Sequence, residues 1–238
     1  MLNPARFYLL GLAAWALAHY GMSDERVGPL YLLNAVAPLL FLPAVGVALL
    51  AVIRGARGLG LACFGVALLA TWLFVGAFLP RPIAASARTP TLTAMTYNLA
   101  AGNHASGAIV AAIRSSGADI VGLFELQPGI ATALQDELRD LYPFQVLVPD
   151  AGVHGVGALS RFPLQALPEA LPGQWSGRPQ TFTFQWHERI VIWVNAHAYS
   201  PGAAIAAWQN GRSVAQAWDW LASRRQEETQ ALRELAER

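Results

Sequence analysis

The stretch Asp119-Ile120-Val121-Gly122-Leu123-Phe124-Glu125 decides the fold of this chain. Its apolar run predicts a buried strand that ends in an acidic side chain, and an earlier apolar run closes with Thr96-Tyr97-Asn98. Between the two runs, residues 107–116 have an amphipathic helical pattern. A strand, a helix and a strand in that order make the two strands parallel. We therefore expect Asn98 and Glu125 to emerge at the same edge of an α/β sheet.

The carboxyl ends of parallel strands are the places where open α/β sheets hold ligands. A carboxylate beside an amide oxygen suits a hard cation such as Mg²⁺. Each residue also has a plain structural interpretation. Asn98 is typical of a turn, and Glu125 suits the start of a helix because Gln127-Pro128 follows it.

The first third of the chain is more apolar than an ordinary soluble domain. Hydrophobic residues make up 55% of the 238 residues and charged residues only 13%. The runs 27–53 and 58–80 contain no charged residue, and each is long enough to cross a hydrocarbon layer of about 30 Å. We expect both to be transmembrane helices, the first kinked at Pro38 and Pro43. Residues 7–22 form a third apolar run, which is either a further spanning helix or a signal peptide.

Arg54 and Arg57 lie between the two longer runs and mark that loop as cytoplasmic. Everything after the second run would then lie outside the cell. The expected localisation is a bacterial inner (cell) membrane, with a multi-pass anchor and an extracytoplasmic soluble domain. The expected domains are a membrane anchor of three transmembrane helices at 1–80, a linker at 81–91 and a soluble domain at 92–238.

Further elements of the soluble part follow from periodicity. Leucines at helical spacing predict a surface helix at 130–141, and apolar runs predict short strands at 144–148 and 156–160. The last part of the chain predicts a long helical stretch at 203–238 that is interrupted at Asn210-Gly211.

Residues 180–186 and 189–196 predict a hairpin. Its second strand is apolar from Ile190 to Val194, as expected for a central strand that is buried on both faces. That strand runs into Asn195-Ala196-His197, so a third polar group is expected at the end of a strand.

Four motifs occur in a recognisable order: Met95-Thr96-Tyr97-Asn98, Ala118 to Glu125, Gly155 to Pro163, and Val194-Asn195-Ala196-His197. From about Leu92 onward, they resemble the endonuclease/exonuclease/phosphatase superfamily. The resemblance implies the first part of a four-layer α/β sandwich, with two mixed sheets flanked by helices. It also implies hydrolysis of phosphoester bonds that depends on Mg²⁺, with Mn²⁺ as the alternative.

Position by position, the resemblance makes Glu125 the metal ligand and Asn98 the amide that helps to position metal and phosphate. His197 matches the histidine that contacts the scissile phosphate or assists the leaving group. The implied site therefore has His197 and Asn98 as catalytic residues and Glu125 and Asn98 as metal ligands. Arg161 looks structural rather than catalytic.

Two later motifs of the superfamily, Gly-Asp-x-Asn and an Asp-His pair, do not occur before Arg238. We therefore expect the domain to be incomplete and this chain to have little or no hydrolase activity, although a longer parent chain would be active. Mg²⁺-dependent turnover by these residues alone, lost in Glu125→Ala, would contradict that expectation.

The charge of the soluble part bears on the substrate. From Ala84 onward, 11 arginines stand against 13 aspartates and glutamates, so no basic surface for nucleic acid is indicated. The layout resembles the glycopeptide-resistance membrane phosphatases. The expected partners are therefore the lipid bilayer and a phosphorylated lipid or lipid-linked pyrophosphate at the outer membrane face. The alternatives are a surface-tethered nuclease and a non-catalytic membrane binding protein, and the oligomeric state is left open.

Overall fold

The computed structural model describes residues 4–21, 30, 33–34, 36–74, 90–168 and 171–237. The chain divides into two compact units. The first comprises Met1–Ala87 and Arg212–Ala222, and the second comprises Arg88–Gly211 and Ser223–Arg238. Both sheets and all three candidate site residues belong to the second unit.

The N-terminal part of the first unit is helical. Its described helices are α1 (Pro4–Gly21), α2 (Ala37–Leu40), α3 (Leu42–Ile53) and α4 (Arg57–Phe74). The rings of Trp15 and Phe41 pack edge to face, with their centroids 5.6 Å apart, and lie in a small apolar cluster.

The predicted kinked helix over residues 27–53 is wrong where the structure describes it. α2 ends at Leu40, and α3 begins at Leu42 after a single turn residue. Pro38 and Pro43 each lie in the first turn of their helices. Proline is tolerated there because the missing N–H has no partner within the helix. The two prolines therefore begin helices instead of kinking one.

The predicted membrane anchor is also wrong. α3 has 12 residues, which is about 18 Å of helix against about 30 Å of hydrocarbon. α1 and α4 have 18 residues each, and residues 75–80 of the second predicted span lie outside the described part. Within the ranges given above, no helix combines the length and the apolar character needed to cross a membrane. This finding contradicts the transmembrane fold class and the inner-membrane localisation.

The first sheet of the second unit has four strands in the order β1-β2-β4-β3. They are β1 (Ala94–Asn98), β2 (Ile120–Phe124), β3 (Phe144–Val148) and β4 (Val156–Ser160). β1 and β2 are parallel and the other pairs are antiparallel, so the sheet is mixed. Helix α5 (Ser106–Ser116) connects β1 to β2, as the sequence predicts.

One apolar cluster holds this sheet against its helices. Val121 and Leu123 of β2 are fully buried and pack in one cluster with Ile109 and Ile113 of α5. Helix α6 (Pro128–Glu137) contributes Leu134 to the same cluster. The predicted helix at 130–141 thus exists, but it begins two residues earlier and ends at Glu137.

The second sheet has the order β5-β6-β7, with β5 (Gln165–Ala166), β6 (Gln180–Trp186) and β7 (Arg189–Asn195). Both pairs are antiparallel, so the expectation of a second mixed sheet is not met. The predicted hairpin of β6 and β7 is confirmed. The predicted break in the last helical stretch is also confirmed, since α7 (Pro201–Gln209) and α8 (Val214–Ala236) are separate helices.

The interpretation of β7 as a central strand is wrong. Among the described strands it pairs with β6 alone. Ile190 and Ile192 have relative exposures of 73% and 49%. An apolar sequence is compatible with a central strand and with an exposed one, and here the strand lies at an edge of the described sheet.

Asn195, the last residue of β7, joins the two sheets. Its Nδ2 donates to the Gly157 carbonyl on β4 at 2.9 Å and to Gln180 Oε1 on β6 at 3.0 Å. The side chain lies against Gly122, where no other residue has room, because a Cβ there would stand 2.6 Å from Asn195 Oδ1. This junction fixes the end of β7, and His197 follows two residues later.

Candidate active site

Asn98 and Glu125 lie side by side at the carboxyl edge of the mixed sheet. β1 and β2 are in register, so Asn98 is opposite Phe124, and Glu125 follows Phe124 directly. The pairing extends past the strand, where Leu99 N–H donates to the Phe124 carbonyl at 3.0 Å. The crossover expected from the sequence therefore brings the two side chains together.

Three hydrogen bonds hold these side chains in place. Asn98 Nδ2 donates to Glu125 Oε1 at 2.8 Å, and Ala101 N–H donates to Glu125 Oε2 at 2.6 Å. Asn98 Oδ1 accepts from Ala100 N–H at 2.9 Å. Each carboxylate oxygen therefore accepts one hydrogen bond and keeps a lone pair for a further partner.

The backbone at the site adopts an uncommon conformation. Glu125 has φ of +56° and Ala100 has φ of +61°, both in the left-handed region that residues other than glycine rarely occupy. A residue held in this conformation lowers the stability of the folded state by about 1–3 kcal/mol, and such strained residues are concentrated at functional sites. In this conformation the Glu125 carboxylate accepts its hydrogen bonds from Asn98 and Ala101 at the end of the sheet.

The environment of Glu125 favours its charged form. Burial alone would raise the pKa of this carboxyl, but the hydrogen bonds from Ala101 and Asn98 and the neighbouring His197 lower the pKa below its ordinary value. The stability that comes from this lowering is present above the ordinary pKa of glutamate and is lost as pH falls through the lowered pKa. Glu125 is therefore an anion at neutral pH.

His197 faces the same carboxylate. Its Nε2 lies 3.9 Å from Glu125 Oε1, and the two side chains are only 15% and 19% exposed. The imidazole stacks on the ring of Phe124, with centroids 5.1 Å apart and planes inclined by 28°. Nδ1 is buried and has no hydrogen-bond partner in the part of the chain that the structure describes. His197 Nε2 therefore lies on the side of the site that carries the Glu125 carboxylate.

The donor set at this edge fits a hard divalent cation as a partial coordination shell. Nowhere in the described ranges do three His, Cys, Asp or Glu residues come close enough to hold a metal. Mg²⁺ is often bound through one or two carboxylates, with water and substrate phosphate as its other ligands. The Glu125 carboxylate matches the acidic ligand of that arrangement, and the Asn98 amide oxygen, which accepts from Ala100 N–H, keeps a second lone pair that could contact a cation.

Several features of the site could not be read from the sequence. The Ala101 N–H is a backbone donor, and no side-chain pattern marks it. Phe124 looks like a buried strand residue in the sequence, whereas its ring orients His197. Ser176, whose N–H donates to the His197 carbonyl at 3.0 Å, lies far from the other motifs in sequence. The guanidinium of Arg161, which was expected to be structural, pairs with Asp119 at 3.0 Å instead of with Asn98, Glu125 or His197.

Comparisons with known proteins relate the chain to one family. The model of a family described as "Endonuclease/Exonuclease/phosphatase family" matches residues 95–238. Among curated proteins, none matches the chain. One solved structure that is similar is that of humanized D. rerio TDP2 with 14 mutations, at 14% identity and a TM-score of 0.37. The match covers 50% of this chain and 52% of the TDP2 chain, so this chain spans about half the length of that protein.

Proposed function

The chain belongs to the endonuclease/exonuclease/phosphatase family, and we propose that the full-length protein hydrolyses phosphoester bonds with a divalent cation at Glu125 and Asn98. Members of this family are typically hydrolases that act on such bonds. The observation that carries the proposal is the hydrogen-bonded Asn98–Glu125 pair, with His197 Nε2 at 3.9 Å from the carboxylate. Mg²⁺ is the expected cation, and Mn²⁺ is the alternative.

The reaction places definite demands on the site. A phosphoester carries negative charge on its phosphoryl oxygens, and that charge must be neutralised before water can attack phosphorus. A divalent cation held by Glu125 would neutralise it and orient the phosphate. The ionised Glu125 supplies the charge that binds such a cation, and the lone pair left on each of its oxygens leaves room for the contact.

Asn98 and His197 act on the substrate in different ways. Asn98 keeps the carboxylate in position through its Nδ2. Its Oδ1 accepts from Ala100 N–H and would offer its second lone pair to the cation. His197 Nε2 faces the same carboxylate and would donate a hydrogen bond to a phosphoryl oxygen of the substrate. The Phe124 ring and the Ser176 N–H fix the direction of this donor, because one stacks on the imidazole and the other holds the backbone.

The substrate class can be identified by comparing the rates at which different phosphoesters are hydrolysed. The lipid hypothesis depended mainly on a membrane anchor, which the structure contradicts, so a phosphorylated lipid is now one candidate among several. The excess of acidic residues after Ala84 speaks against tight electrostatic binding of nucleic acid. A panel of a phosphomonoester, a phosphodiester, a phosphorylated lipid in micelles and DNA would rank these classes.

The test uses the full-length protein and its Glu125→Gln variant. We expect Mg²⁺- or Mn²⁺-dependent hydrolysis of at least one member of the panel. Glu125→Gln should lower kcat by about 100-fold or more, because it removes the charge that holds the cation and so several kcal/mol of stabilisation. The matched control is Glu234→Gln, since Glu234 is an exposed carboxylate on α8. Equal activity in both variants would refute the proposed site.

A further inference from the structure

A second histidine lies at the edge that carries Asn98 and Glu125. His154 is two residues before Val156, and Val156 is opposite Phe124 in the antiparallel pair of β2 and β4. The backbone makes the same connection, since Leu126 N–H donates to the Gly155 carbonyl at 3.1 Å. The residue after His154 is thus bonded to the residue after Glu125.

The ring of His154 is held by a backbone carbonyl. His154 Nδ1 lies 3.1 Å from the Ser176 carbonyl oxygen. Because a carbonyl only accepts hydrogen bonds, Nδ1 must carry the proton in this contact. In the neutral ring, Nε2 then has a lone pair and no proton.

Ser176 connects this histidine to the site already described. The residue is only 7% exposed, and its N–H donates to the His197 carbonyl at 3.0 Å. His154 and His197 are therefore attached to the same buried residue, one through its ring and the other through its backbone. His154 as a whole residue is nevertheless exposed, although the contact of its ring with Ser176 is partly buried.

The chemistry of Nε2 restricts what it can bind. A lone pair without a proton needs a hydrogen-bond donor, and the oxygens of an ionised phosphate have none to give. A hydroxyl group of the substrate or a water molecule can donate. Glu125 and His197 are only 19% and 15% exposed, whereas His154 is exposed. The outer position favours a group on the alcohol part of the substrate over the water that attacks phosphorus.

We propose that His154 Nε2 accepts a hydrogen bond from a free hydroxyl on the alcohol part of the substrate. The preferred substrates are then phosphoesters of polyols, such as glycerol, over phosphoesters of simple alkyl alcohols. This inference rests on the proposed function, because it concerns the specificity of that same site. His154 takes no part in the breaking of the ester bond.

The test compares p-nitrophenyl phosphodiesters of glycerol and of n-propanol, which differ only in the two hydroxyls. The assay is run at about pH 8, above the range in which histidine side chains generally take up a proton. The full-length protein should prefer the glycerol ester by about tenfold in kcat/KM, the value of one neutral hydrogen bond.

The informative variant is His154→Asn. The asparagine amide can keep the hydrogen bond to the Ser176 carbonyl, but it has no nitrogen at the position of Nε2. We expect a loss of about tenfold with the glycerol ester and no change with the propyl ester. His187→Asn is the control, because His187 lies in the turn between β6 and β7 with φ of +52°, which asparagine tolerates.

The outcomes separate this inference from the proposed function. An equal loss on both esters in His154→Asn would overturn the inference, because a structural residue or a general base affects every substrate. A wild-type protein that hydrolyses the glycerol and propyl esters equally well would also overturn the inference. If that hydrolysis still depended on Glu125, the proposed function would stand. Absence of Glu125-dependent turnover on every phosphoester would overturn both.

The tautomer of the His154 ring offers a second measurement that needs no variant. ¹⁵N NMR of the histidines in the wild-type protein should show His154 with its proton on Nδ1. Glycerol 1-phosphate should shift the Nε2 resonance of His154, and n-propyl phosphate should not. A proton on Nε2, or the same shift with both ligands, would contradict the proposal.

Discussion

Replacing Gly122 with alanine would place a methyl group in the junction between the two sheets. The new Cβ would lie 2.6 Å from Asn195 Oδ1, 3.2 Å from Asn195 Cγ and 3.2 Å from the indole carbon Cζ2 of Trp193. The first distance is shorter than any van der Waals contact, so Asn195 must move. Asn195 is only 2% exposed, and close-packed protein interiors leave little free space for such a movement.

The expected cost has two parts. Forcing one extra methyl group into a packed interior costs about 1–3 kcal/mol. Asn195 Nδ2 donates to Gly157 and to Gln180, and the loss or weakening of one of these buried bonds adds about 1 kcal/mol. We therefore expect Gly122→Ala to lower the free energy of unfolding by about 3 kcal/mol.

The measurement is urea unfolding followed by tryptophan fluorescence. Gly129→Ala is the matched control, because Gly129 lies in α6 and a Cβ there would meet nothing within 4 Å. That control should be neutral or stabilise the protein by up to about 1 kcal/mol, since alanine is the better helix former. A Gly122→Ala variant as stable as the Gly129→Ala variant would refute the packing of Asn195 against β2.

Two further predictions concern other parts of the second unit. Tyr142 is fully buried and its hydroxyl donates to the Ala118 carbonyl at 2.9 Å, so Tyr142→Phe should lower the free energy of unfolding by about 1 kcal/mol in urea. The hydrogen bond from Arg114 holds the pKa of Asp140 below its ordinary value, so Arg114→Met should raise that pKa in an NMR titration. Because a lowered pKa gives stability that is lost on acidification, Arg114→Met should also lose less stability than the wild type as pH falls through that pKa. An unchanged Asp140 titration, or a Tyr142→Phe variant of wild-type stability, would contradict these contacts.

The alternation of strand and helix made the first half of the mixed sheet predictable. The apolar run of β2 and the helical period of α5 require a parallel pair, and that pair alone places Asn98 beside Glu125. At Pro38 and Pro43, the sequence alone does not decide between two local structures. A proline inside a long apolar run is compatible with a kink and with the first turn of a new helix, and hydropathy does not separate the two.

Other features depend on contacts between distant residues. The run from Ile190 to Val194 is apolar in either a central or an edge strand, and only the pairing of β7 shows which of the two it is. At the site, Ala101 and Ser176 contribute backbone groups, which carry no sequence signature. The left-handed conformation of Glu125 also comes from its surroundings, because glutamate by itself disfavours it.

The most direct test of the proposed site is the rate of phosphoester hydrolysis as a function of Mg²⁺ concentration, for wild-type protein and for Glu125→Gln. We predict a rate that rises and saturates with Mg²⁺ in the wild type and stays at the background level in Glu125→Gln. The expected difference comes from charge, because the Glu125 carboxylate is ionised at neutral pH and its glutamine replacement is neutral. The same saturation curve in both proteins would contradict a cation site at Glu125 and with it the proposed function.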